Sequence, residues 1–104
     1  MIEPINKGSD NPVIDDITCR VTYAMRHATY NGMYRGFHRC VCGATSDNKN
    51  WRYNDLQTNS LAVHYVAFHR DEISESEIEK IKSIPAKDYP TPDEIYRKKM
   101  PFNG

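Results

Sequence analysis

The chain has 104 residues, one domain's worth, and its fourteen Lys and Arg balance fourteen Asp and Glu. Leu, Ile, Val and Phe together number nineteen, a thin supply for a core, while the zero net charge argues against disorder. Those numbers exclude a multidomain enzyme and a strongly basic nucleic-acid binder, and they point to a small domain that gains from an added staple.

Residues 1–11, with Pro4, Gly8, Ser9, Asp10 and Asn11, read as an irregular leader. A helix is predicted over 12–28, because Ile14, Ile17, Val21, Ala24, Met25 and Ala28 recur at spacings of three and four and Asn11-Pro12 offers a start signal. Between 29 and 58 the chain changes character. Asn31-Gly32 predicts a hairpin turn flanked by aromatic residues, and the polar stretch around Trp51 predicts a loop or second hairpin.

A His-bearing helix is expected over 59–70, capped by Thr58, Asn59 or Ser60 and carrying Leu61, His64, Tyr65 and Phe68 on one face. Two short helices follow within 74–100. Ser74-Glu75-Ser76-Glu77 and Thr91-Pro92-Asp93-Glu94 both have the form of a capping box. The expected fold is α+β: a small antiparallel sheet packed against helices in a single domain.

Three cysteines, Cys19, Cys40 and Cys42, make an odd set that disfavours a secreted disulfide scaffold. No signal-peptide pattern or long apolar run is present, so the reading is a cytoplasmic protein. Cys40-Val41-Cys42-Gly43 and His64-x4-His69 together supply two thiols and two imidazoles, the ligand set of a structural zinc. The glycine suits a tight knuckle, although one intervening residue is fewer than the usual two to four. Five residues advance an ideal helix by about 140°, so His69 must stand where the helix distorts or ends. The expected result is a zinc-finger-like site tying hairpin to helix. His38 is the first substitute ligand, with Cys19 and His27 behind it, and the donor set also admits iron.

Charge is segregated along the chain. Six basic residues and one acid between Arg20 and Arg52 give +5, whereas eight acids and three lysines between Asp71 and Glu94 give −5. The basic part also holds Trp51 and several tyrosines, so Arg35, Arg39, Trp51 and Arg52 are candidate contacts for single-stranded nucleic acid. Catalytic templates are missing: Tyr65 stands where H-E-x-x-H needs Glu, and neither the deaminase pattern nor a G-x-S-x-G elbow occurs. The leading expectation is a non-catalytic, zinc-stabilised module that binds a protein or nucleic acid. The alternatives are a small hydrolase with an open zinc position and a single-strand binder.

The stretches HATYNG, YRGFHRCVCGATSDN and TNSLAVHYVAFHRDEI resemble a group of small bacterial proteins, some encoded in mobile integron gene cassettes. The resemblance spans residues 27–73 and rests on the combined C-x-C-G and H-x4-H elements. It implies a bacterial cytoplasmic setting and a metal site at Cys40, Cys42, His64 and His69, and it implies no reaction.

Overall fold

A computed structural model describes residues 11–33, 40, 44–45 and 49–96 of the chain. The fold is α+β, and among the described residues it comprises a three-stranded antiparallel sheet and four α-helices. Helix α1 spans Asp16–His27. Its cap is Asp15, whose carboxylate accepts from the Thr18 backbone N–H at 3.2 Å, so the helix starts later than Asn11-Pro12 suggested. Asp16 in the first turn and Arg26 and His27 in the last complement the helix dipole.

The buried face of α1 keeps Val21 and Ala24 of the aliphatic stripe, with Ile17 and Met25 packed against the core, but it also includes two threonines. Ile14 is exposed and precedes the helix, while Thr18 and Thr22 are fully buried. Their hydroxyls make this tolerable: Thr18 Oγ1 donates to the Val13 carbonyl at 2.5 Å and Thr22 Oγ1 to the Thr18 carbonyl at 2.9 Å.

Strand β1 (Thr29–Met33) pairs with β2 (Lys49–Tyr53), which pairs with β3 (Leu56–Thr58). The hairpin turn expected at Asn31-Gly32 is not there, because both residues lie within β1, where the register against β2 is irregular between Tyr30 and Met33. The tight turn is Asn54-Asp55, between the paired Tyr53 and Leu56. Asn54 has φ 49°, the left-handed region that asparagine enters more readily than other non-glycine residues. Alternation puts Leu56 and Thr58 on the buried face and Gln57 outside.

Helix α2 (Ala62–Phe68) is the centre of the molecule. Every residue from Leu61 to Ala67 is buried, so this helix packs on all sides rather than along the single face its periodicity suggested. It carries no side-chain cap of its own; instead Asn59 Oδ1 accepts from the Leu61 N–H at 2.8 Å, and Asn59 Nδ2 donates to the Tyr65 hydroxyl at 3.3 Å. A 3-10 turn at Arg70–Glu72 follows. Arg70 sends two N–H groups to the Asp15 carboxylate, at 2.8 and 2.7 Å, fastening the end of α2 to the start of α1.

Helix α3 (Glu75–Lys82) begins where Ser74 Oγ accepts from the Glu77 N–H. Arg20 donates to the carbonyls of Lys82, its last residue, and Ile84 beyond it. Helix α4 (Pro92–Tyr96) is opened by a reciprocal box: Thr91 N–H donates to the Glu94 carboxylate at 2.6 Å, and Thr91 Oγ1 accepts from the Glu94 N–H at 3.3 Å. Arg26 holds Glu94 at 2.9 Å and the Tyr89 carbonyl at 3.0 Å, pinning this C-terminal stretch to α1. The main core surrounds α2, and a smaller one joins Ala24, Leu56 and Ile84.

Candidate metal centre

Cys40, His64 and His69 meet in the interior, with one ligand-type atom of each within 4.8 Å of the others. They are 2%, 4% and 2% exposed. Two come from one helix: His64 lies in the middle of α2 and His69 at its C-cap, where φ −125° and ψ 36° depart from helical values. That departure answers the 140° problem of the H-x4-H spacing, since the backbone leaves the helix at the residue whose ring would otherwise turn away. The two imidazole centroids are 5.3 Å apart. Cys40 enters from the connection between β1 and β2, where its N–H donates to the Ala44 carbonyl at 2.8 Å and Ala44 and Thr45 are buried beside it.

Both rings have a defined orientation. His69 Nε2 is 3.1 Å from Cys40 Sγ, and its Nδ1 is 3.8 Å from Glu72 Oε2. His64 Nδ1 is 3.1 Å from the Ile95 carbonyl oxygen. A carbonyl only accepts, so Nδ1 carries the proton and Nε2 of the neutral ring keeps the lone pair that a cation requires. Burial pushes His64 below the ordinary histidine value, against the opposing pull of the Ile95 carbonyl, and neighbouring His69 adds to the depression. The ring is therefore neutral near pH 7.

The dimensions suit a small tetrahedral ion. Zinc bonds of about 2.3 Å to sulfur and 2.0–2.1 Å to nitrogen imply ligand separations of about 3.5 Å for S···N and 3.3 Å for N···N. The Cys40–His69 pair must open by about 0.4 Å, and the widest separation in the cluster must contract by about 1.5 Å at most, both within side-chain adjustment. His64 also presents its Nδ1 to an oxygen within hydrogen-bond distance, the arrangement that outer-shell partners of metal-bound histidines adopt, whereas Glu72 at 3.8 Å from His69 Nδ1 is beyond that reach.

The described residues bring none of the other expected site residues into the cluster. Cys42, Arg35, Arg39 and the substitute His38 lie outside the described residues. Cys19 is buried on α1 and is not part of the cluster; burial pushes its thiol up, with Asp15 and Asp16 adding to the shift. His27 is exposed at the end of α1 and lies 4.3 Å from the Tyr23 ring. Trp51 meets Tyr30 edge-on at 6.2 Å, while Arg52 is exposed and donates to the Asn54 carbonyl at 3.0 Å. Consecutive strand residues point to opposite faces, so the indole and the guanidinium do not share a surface.

Two participants escaped the sequence reading. Glu72 had a local signal, three residues beyond His69, but the Ile95 carbonyl had none. No family model, curated protein or solved structure matches the chain. Among the described residues no helix is long and apolar enough to cross a membrane.

Proposed function

We propose that the chain is a zinc-stabilised binding module without catalysis, in which Cys40, Cys42, His64 and His69 hold one Zn²⁺ and the stabilised surface serves a protein or nucleic-acid partner. The observation that carries this reading is the convergence of Cys40, His64 and His69 in the interior. Cys42, two residues from Cys40, is the fourth ligand, completing a two-Cys two-His set that favours zinc by its softness and coordination number. Thiolate ligands also suit a reducing cytoplasm, and the C-x-C-G and H-x4-H pattern resembles that of the small bacterial, integron-associated group.

The burial of the cluster speaks against a hydrolase, because a catalytic zinc needs an exchangeable water and room for substrate beside it. The separation of Trp51 from Arg52 across the sheet speaks against a stacking platform for single strands at that point. Cobalt titration tests the metal reading. One equivalent of Co²⁺ should give thiolate charge-transfer absorption and the intense visible bands of a tetrahedral site, both displaced by zinc. Weak octahedral bands, or no saturable change, would overturn it.

A further inference from the structure

Helix α4 lies against the metal centre through an unusual contact. Ile95 is 5% exposed, and its backbone carbonyl, rather than its side chain alone, meets the ring of His64 at 3.1 Å. Thirty-one positions separate the two residues, so the bond exists only when α4 is docked on α2. Two further contacts hold the same helix: Tyr96 approaches Phe68 at 5.4 Å, itself 5.2 Å from His64 within α2, and Glu94 pairs with Arg26. The ring that would bind the metal is thus also a docking point for the C-terminal helix.

We infer that the Ile95 carbonyl is an outer-shell acceptor of the metal site, so that metal occupancy and the docking of α4 stabilise each other. The inference rests on the metal reading above. A cation on His64 Nε2 fixes the proton on Nδ1 and polarises that N–H, strengthening its bond to the Ile95 oxygen. In the other direction, a docked α4 holds the imidazole in the tautomer and rotation that the cation needs. Linkage makes the effect reciprocal: whatever factor docking contributes to metal affinity, the metal contributes to docking. Removal of an outer-shell partner of this kind typically weakens metal binding by about 10- to 100-fold.

The test uses the full chain loaded with zinc and two matched truncations, Ile95→Ala and Ile84→Ala. Ile84 is 3% exposed and belongs to the smaller core with Ala24 and Leu56, so its variant controls for general destabilisation. Nitrogen-15 spectra of the wild-type protein should show His64 bound through Nε2, with an Nδ1 proton protected from solvent and coupled to the Ile95 carbonyl carbon. In Ile95→Ala that proton should exchange about tenfold faster or more. Zinc affinity, measured against a chromophoric chelator, should fall about tenfold further than in Ile84→Ala. Coordination through His64 Nδ1, or equal losses in the two variants, would overturn the coupling while leaving the metal site in place. If Ile95→Ala does not fold, the wild-type spectrum decides alone. A wild-type chain that takes up no zinc removes the site and the coupling together.

Discussion

Two buried thiols in one small domain make an internal control for the role of Cys40. Cys19 and Cys40 are 6% and 2% exposed, so replacement by alanine removes one sulfur from a packed environment in either case. As packing alone, each change costs about 1 kcal/mol, the scale of one buried methylene plus part of a cavity. In a domain of 104 residues that lowers Tm by about 4–8 °C. Cys40 also stands 3.1 Å from His69 Nε2 in the proposed ligand set. Structural zinc contributes about 10–16 kcal/mol at pH 7 in small domains, comparable with the whole stability of a protein this size. Cys40→Ala should therefore lose the cooperative melt altogether, whereas Cys19→Ala should keep it at slightly lower temperature. Differential scanning calorimetry of both variants, with and without added zinc, reads the contrast directly. Similar small shifts in the two, indifferent to zinc, would refute the assignment and make Cys40 an ordinary core thiol.

Smaller predictions follow from the scaffold around the site. The Arg70 guanidinium holds the Asp15 carboxyl down to about 2 from its ordinary 3.8. A depressed carboxylate contributes stability that is complete above the unfolded value and lost as pH falls towards the folded one, so its effect at pH 7 is at full strength. Asp15 is nearly half exposed, and solvent screening reduces the pair's share; with the lost cap included, Asp15→Ala should cost about 1–2 kcal/mol in urea unfolding, equally at pH 6 and pH 8. A cost that changes severalfold over that interval would mean a different group sets it. Tyr65→Phe leaves the buried Asn59 amide without its hydroxyl acceptor and should cost about 1–3 kcal/mol by the same assay, so an unchanged midpoint would show that Asn59 is held by other means. Ser74→Ala should cost about 1 kcal/mol through the α3 cap alone, and its zinc affinity should equal that of the wild type; a tenfold fall would tie α3 to the site.

The features legible in the sequence were those set by neighbours a few residues apart. The capping boxes at Ser74 and Thr91 are local, and the structure closes the Thr91 box in both directions and has Ser74 Oγ accept from the Glu77 N–H. The Cys40, His64 and His69 cluster was legible because thiol and imidazole pairs at short spacing have few other uses, and the helix end at His69 was required by 3.6 residues per turn. Long-range partners decided the rest. Asp15 displaced Asn11 as the cap of α1 because Arg70, 55 residues away, fixes its carboxylate. Pairing with β2 drew Asn31-Gly32 into a strand and left Asn54-Asp55 as the hairpin turn. Thr18 and Thr22 joined Val21 and Ala24 on the buried face of α1 because the Val13 and Thr18 carbonyls lay within reach of their hydroxyls. The Ile95 carbonyl was invisible for a simpler reason: every residue has one, and only tertiary packing selects which of them meets a histidine.

The measurement that tests the central claim most directly is the zinc content of the purified full chain by mass spectrometry, paired with thermal unfolding before and after chelation. The expected result is about one zinc per chain, with the cooperative transition lost on chelation and restored by added zinc. A chain free of metal, melting cooperatively at the same temperature with and without chelator, would contradict it and return Cys40, His64 and His69 to the role of core packing.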